Sequence, residues 1–182
     1  MRIISGSKRG KKLTALEGLQ VRPTTDRVKE ALFDILQFSV EGSRFLDLFA
    51  GSGQVGLEAL SRGAMEAVFV DIFRDSIRVV EKNLAATGFS DKARVVQADF
   101  SAFLRREREL FDIAFLDPPY EQGLLQEALP LVAERMTSLG VIFCEHPSRE
   151  ALPEEAGEFR KSREYRYGKI ALTVYRRPKQ DE

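Results

Sequence analysis

From residue 44 onward, short apolar runs alternate with longer stretches of mixed polarity. The runs are 44–49 (RFLDLF), 66–71 (EAVFVD), 93–98 (ARVVQA), 111–117 (FDIAFLD) and 139–144 (LGVIFC). Near-continuous apolar runs of this length read as strands covered on both faces, not as helices. Between them lie helical stretches near 54–62, 74–87, 100–109 and 122–136. Ile77, Val80 and Leu84 give the second of these a buried stripe, and Gly88 ends it. Pro130 predicts a kink or a break in the last. Buried strands separated by helices specify an α/β fold, a doubly wound and mostly parallel sheet. The tail, 158–166 and 169–175 around Gly168, reads as an antiparallel C-terminal hairpin. Ahead of the sheet, Val28, Leu32, Ile35 and Leu36 mark a helix that Thr24 or Thr25 caps. Arg2-Ile3-Ile4 and Lys11 to Thr14 form a small N-terminal β-hairpin turned at Gly6 and Gly10. The expected division is a hairpin appendage over 1–20 and one domain over 21–182.

The formal net charge is zero, but the charges are segregated. Residues 1–30 carry eight Lys and Arg against three acids, and residues 160–179 carry eight against Glu164 alone. The stretch 31–159 holds twelve basic and twenty-two acidic residues. Basic ends around an acidic body suit a polyanion-binding rim beside a site for a cation; a pair of solvated basic strands is the plain alternative. No apolar run approaches the roughly 20 residues that span a bilayer, and no apolar stretch of a signal peptide follows Met1. Cys144, the one cysteine, lies in an apolar run and reads as a buried structural thiol. A cytoplasmic location fits these features, with no membrane partner and no metal expected.

Gly51-Ser52-Gly53-Gln54-Val55-Gly56 follows the first strand and opens a helix, and Asp71 lies at the end of the next strand. That spacing serves a dinucleotide as well as other nucleoside cofactors, so a nicotinamide-dependent oxidoreductase competes. Asp47, four residues before Gly51, argues against a pyrophosphate, because a carboxylate there repels one. It favours the sulfonium and ammonium of S-adenosylmethionine. A helix cap or a carboxylate bound to loop amides is the other reading of Asp47. In this crevice Asp71 is expected to hold ribose hydroxyls and Asp99 to accept from the adenine amino group. Phe100 packs on the ring or belongs to the core; the two readings are even. A parallel sheet closed by an antiparallel hairpin is the sequence form of the Rossmann-like class I methyltransferase fold.

Asp117-Pro118-Pro119-Tyr120 leaves the fourth strand beside this loop. Two prolines enforce a rigid exit. An exocyclic base amine is a poor nucleophile because its lone pair is delocalised. Acceptors on both of its N–H groups, the Asp117 carboxylate and the Pro118 carbonyl, drive it toward tetrahedral geometry. Tyr120 can stack on the base. The loop indicates amino-group methylation without choosing the amine, so an adenine-N6 methyltransferase on DNA or RNA stays open. A noncatalytic RNA-binding module is disfavoured by the intact Asp117 and Tyr120. His146 reads as structural or capping rather than as a base.

Over nearly its whole length the chain resembles the bacterial 16S ribosomal RNA guanine-N2 methyltransferases. The resemblance is carried by Arg2 to Gly6 with Arg9-Gly10, by Arg22 to Ala31, by Leu46 to Gly53, by Leu57 to Ala64 and by Asp117 to Tyr120. It implies transfer of a methyl group to N2 of a guanine in 16S rRNA, within an assembling small subunit. It implies a catalytic set of Asp117, Pro118, Pro119 and Tyr120. It also implies a cofactor surface of Asp47, Phe49, Ala50, Gly51, Ser52, Gly53, Asp71, Ile72, Asp99 and Phe100. The RNA grip it implies comprises Arg2, Lys8, Arg9, Lys11, Lys12, Arg22, Thr24 and Arg27. The family usually has a small residue where this chain has Gln54, and often Glu where it has Asp71.

Overall fold

The computed structural model describes residues 1–18 and 24–180. Helix α1 (Asp26–Ile35) precedes β1 (Arg44–Leu48), α2 (Gln54–Ser61), β2 (Glu66–Asp71), α3 (Arg74–Thr87), β3 (Ala93–Gln97), α4 (Phe100–Arg106) and β4 (Phe111–Leu116). Helix α5 (Leu124–Ala133) and β5 (Met136–Pro147) follow, then β6 (Glu155–Ala156), β7 (Phe159–Tyr167) and β8 (Ile170–Arg176). The sheet has eight strands in the order β3-β2-β1-β4-β5-β8-β7-β6, the first five parallel and the last three antiparallel. The direction of winding reverses between β1 and β4. Open α/β sheets bind ligands at that point, off the carboxyl ends of the strands. Among the described residues, no helix is long and apolar enough to cross a membrane.

Alternation along each strand sorts side chains to two cores. Phe45, Phe69, Phe115 and Phe143 pack on the face covered by α1, α2 and α3. Leu48, Val70, Leu116 and Ile142 pack on the face covered by α4 and α5. The same parity places Asp47, Asp117 and Glu145 on the α1–α2 face, at the carboxyl ends of β1, β4 and β5. Thr25 caps α1, its hydroxyl accepting from the Val28 amide at 3.3 Å. Gly88 ends α3 in the left-handed conformation (φ 75°). Helix α5 runs through Pro130 without a break. That residue is exposed, so the carbonyl freed by its missing N–H faces water.

The N-terminal hairpin is short, with one bridge between Arg2 and Lys12, yet it is bound into the fold. Ile3 is fully buried in the α1–α2 core. The amides of Ile4 and Ser5 both donate to the Glu58 carboxylate at 2.9 Å. Glu58 is itself fully buried beside the equally buried Lys29, 3.7 Å away, and accepts from Arg62 at 3.0 Å. Lys29 donates to the Arg2 carbonyl at 2.8 Å. Burial holds the Lys29 ammonium below its usual range, while the Glu58 charge opposes that fall. Gly6 (φ +87°) has no room for a side chain, because a Cβ there would lie 1.9 Å from the Ser61 carbonyl oxygen.

Removing Glu58 should strand a buried ammonium and two hairpin amides. We expect Glu58→Ala to cost about 3–5 kcal/mol, with faster amide exchange at Ile4 and Ser5. An unfolding midpoint equal to that of the wild type would show that the hairpin is not held through this carboxylate.

Candidate active site

The glycine loop is shaped first by packing. Gly53 (φ +79°) and Gly56 lie against Phe69 of β2, and a Cβ on Gly56 would fall 2.4 Å from that ring. Gly51 (φ +58°) has open space instead, with only Leu16 of the N-terminal segment near its missing Cβ, at 3.8 Å. The third glycine of the motif thus seats α2 on the sheet, and the first leaves the backbone approachable. Phe49, just before the loop, has φ 63°, a strained value for a bulky residue. Its ring packs on Phe100 at 5.3 Å between centroids. Phe100 is itself buried in the α4–α5 core, which the core reading of this residue anticipated.

Asp47 lies beneath the loop, not on its open side. It is 2% exposed, and one carboxyl oxygen accepts from the Gly56 amide at 3.0 Å. Burial pushes its pKa up to about 8, the Gly56 hydrogen bond pulls it down, and the neighbouring Asp71 adds to the rise. The electrostatic argument against a pyrophosphate therefore moves from Asp47 to Asp71. The Asp71 carboxylate accepts from the Gly51 amide and from the Phe73 amide, each at 2.9 Å. The loop N–H that a phosphate would seek is already given to the chain's own carboxylate. Beside it, Ile72 is half exposed (54%) at the rim. Asp99 is exposed and caps α4, accepting from Ser101 and Ala102 amides at 2.9 and 3.2 Å; these bonds, led by the Ser101 hydroxyl, hold its carboxyl below the usual range.

One strand over, Asp117 to Tyr120 leaves β4. The register pairs Leu48 with Leu116 and Leu116 with Cys144, so Asp117 stands level with Phe49 on one side and Glu145 on the other. Each is one strand spacing away, about 4.8 Å. Pro118 is buried, Pro119 exposed, and Asp117 and Tyr120 half-buried. The backbone turns sharply next, at Glu121 (φ 64°), whose carboxylate pairs with Arg149.

Thr24, expected on the RNA-binding rim, is buried at 6% exposure. Its hydroxyl lies 3.3 Å from Asp117 Oδ2 and 3.2 Å from Glu145 Oε2. A hydroxyl has one proton to give, so these two carboxylates share a single donor there. The Gln54 side chain donates to the Thr24 carbonyl at 3.0 Å and accepts from Lys29 at 3.5 Å. Gln54 thus points away from the open side of the loop and ties it to the segment that reaches Asp117. Glu145, 2% exposed, was missed from the sequence. The signal was present: Val141, Phe143 and Glu145 share strand parity, and the last sits at the strand end beside Asp117.

Arg2, Lys8, Arg9, Lys11 and Lys12 are exposed, and none has an ion-pair partner among the described residues. Arg27 is exposed too, 5.3 Å above the Tyr167 ring. Arg22 lies outside the described residues. The hairpin's open end reaches the glycine loop, where Ser52 meets Met1 sulfur at 3.4 Å and Asn83 bonds both Ser52 and Thr14. His146 is fully buried between the Pro147 carbonyl (2.9 Å) and the Thr173 hydroxyl (2.7 Å), and burial keeps it below its usual pKa. Cys144 is fully buried, and burial pushes its thiol up.

The model of a family described as conserved hypothetical protein 95 matches residues 1–176. Ribosomal RNA small subunit methyltransferase D of Escherichia coli (strain K12) is 38% identical, covering 100% of this chain and 92% of its own. YlbH of Bacillus subtilis (strain 168), whose name proposes an rRNA methyltransferase, is 40% identical over 97% of this chain and 99% of its own. The solved structure of yhhF from Escherichia coli superimposes with a TM-score of 0.88 at 38% identity, covering 99% of both chains.

The raised pKa of Asp47 makes a prediction about stability. Between the ordinary value of 3.8 and about 8, the folded protein keeps a proton that the unfolded chain loses. Stability must therefore fall as pH rises through that window, by up to about 1.4 kcal/mol per pH unit from this group. Asp47→Asn keeps an acceptor for the Gly56 amide and cannot titrate. Chemical denaturation from pH 5 to 8 should show the variant gaining on the wild type as pH rises. Parallel curves would place the titration elsewhere.

Proposed function

The chain belongs to the conserved hypothetical protein 95 family, and we propose that it methylates the exocyclic N2 of a guanine in 16S ribosomal RNA, using S-adenosylmethionine. The observation that carries this reading is the rigid Asp117-Pro118-Pro119-Tyr120 exit set level with the glycine loop across the switch between β1 and β4. Methyl transfer to a planar amine asks for acceptors in fixed positions, and this arrangement supplies them.

S-adenosylmethionine, when bound, supplies an electrophilic methyl group. The residues present suit it. Asp71, at the end of β2, has both oxygens fixed by amides and retains lone pairs for ribose hydroxyls. Ile72 and Phe49, the latter backed by the buried Phe100 ring, offer apolar surface for an adenine, and no free loop amide at Gly51 invites a phosphate. On the substrate side, the Asp117 carboxylate and the Pro118 carbonyl accept from the two amine N–H groups, and Tyr120 stacks on the base. Accepting from both N–H groups returns the nitrogen lone pair from the ring to the reacting direction. Thr24 and Glu145 position Asp117: their shared hydrogen bond fixes the carboxylate before substrate arrives.

The partner is small-subunit rRNA within an assembling subunit, gripped by Arg2, Lys8, Arg9, Lys11 and Lys12 of the hairpin, which have no ion-pair partner among the described residues. The work is expected in the cytoplasm, where subunits assemble.

Nucleoside analysis of 16S rRNA from cells lacking this protein, treated with the protein and labelled cofactor, tests the proposal. N2-methylguanosine is the expected product; N6-methyladenosine would convert the reading to its rival, and no transfer would end both. Asp117→Ala should reduce turnover at least a hundredfold, about 2.7 kcal/mol. Thr24→Val should lower kcat about tenfold, equivalent to 1.4 kcal/mol, with cofactor affinity unchanged and recovery in Thr24→Ser. A Thr24→Val enzyme with full kcat would show that Asp117 needs no such support.

A further inference from the structure

The basic surplus of residues 160–179 has no part in the site so far, and the topology says where it lies. Strand β8 runs antiparallel to β5 with Ile170 against Pro147, so the β7–β8 turn at Gly168 stands at the same end of the sheet as Asp117 and Glu145. The Ser148 amide donates to the Lys169 carbonyl at 2.8 Å and fixes that turn to the end of β5. Three inter-strand steps, β4 to β5 to β8 to β7, separate it from the catalytic loop by about 14 Å.

Below the turn, Tyr167 and Tyr165 are half-buried against the α1 side of the core. Arg27 covers the first ring at 5.3 Å and Arg163 the second at 5.7 Å. A shallow depression bounded by Ile35, Tyr165, Arg163 and Arg176 continues along this face. Neighbouring cations are spent internally: Arg160, Lys161, Arg166 and Arg177 pair with Glu155, Glu154, Glu164 and Glu158. Arg163, Lys169 and Arg176 are exposed and have no acidic partner among the described residues.

We propose that this face, from Lys169 past Tyr167 and Arg163 to Arg176, is a second RNA-binding surface that holds the strand flanking the target nucleotide. The inference rests on the reading of the chain as an rRNA methyltransferase. Unpaired cations suit phosphates, and tyrosine rings already covered by arginines present the flat, cationic surfaces on which unpaired bases stack. The hairpin lies along α2, on the glycine-loop side of Asp117; the β7–β8 face lies on the other. Strands entering from both sides are thus held while one base turns into the site between them.

The test is Arg163→Gln/Lys169→Gln/Arg176→Gln in the full chain, with Lys169→Gln alone as the milder variant. Thermal unfolding verifies the fold. With undermethylated small subunits, KM should rise at least tenfold for the triple variant and about twofold for Lys169→Gln. Turnover at saturating substrate and affinity for S-adenosylhomocysteine should stay as in the wild type. In filter binding to 16S rRNA, the slope of log affinity against log salt should flatten by about two, for three lost single-strand contacts. An unchanged slope in folded protein overturns the surface, whether or not methyl is transferred. A flattened slope in the variant, beside a wild type that transfers no methyl, would keep the surface and overturn the enzymatic reading.

Discussion

Helix α2 can lie against β2 only because Gly53 and Gly56 offer no side chain to the Phe69 ring, and the rest of the site hangs from that contact. A Cβ on Gly56 would stand 2.4 Å from the ring. With the helix seated, its first turn presents the glycine loop, and its third residue offers the amide that Asp47 accepts from below. Gln54, at the first position, reaches the Thr24 carbonyl. One turn further on, Glu58 receives the hairpin and Lys29. Close packing at two residues therefore sets the glycine loop, the Thr24 segment and the N-terminal hairpin in one frame.

Four ionisable groups buried near this helix are accommodated in three different ways. Asp47 has one amide and a carboxyl that keeps its proton up to about 8, so its charge is avoided. Asp71, also buried, accepts from two backbone amides, one on each carboxyl oxygen. Lys29 and Glu58 are fully buried together and bound to hairpin backbone. An ion pair without water returns little net stability for its desolvation, but it tolerates no other docking of the hairpin. Its contribution is register: it decides where residues 1–13 lie.

Much of this was legible in the residues. The expected bounds of α3, 74–87, and β2, 66–71, coincide with the structure, because Gly88 and Asp71 mark real ends. Strand β5 is longer than its apolar run, extending to Met136 and Pro147, since pairing with β8 carries polar residues into the sheet. The short β6 had no hydrophobic signature at two residues. At the site, the loop, the Asp117 exit and the strand-end acids were visible as local motifs. What escaped was produced by distant contact. Thr24 faces Asp117 across 93 residues and Glu145 across 121. Asp47's position under the loop follows from its parity with Phe45, which spacing to Gly51 does not convey.

The same distances explain why the N-terminal segment matters to the chemistry. Residues before the sheet bring both the exposed cations of the hairpin and the hydroxyl that supports Asp117. Between them run the Arg2 carbonyl to Lys29, Lys29 to Gln54, and Gln54 to the Thr24 carbonyl. Each link is buried at least in part, so a lost link leaves a polar group without its partner inside the fold. The hairpin cannot settle elsewhere without straining the contact at Asp117. On the proposed reading, RNA held by the hairpin is held by the same connected backbone that orients the Asp117 carboxylate, which fixes grip and chemistry relative to each other.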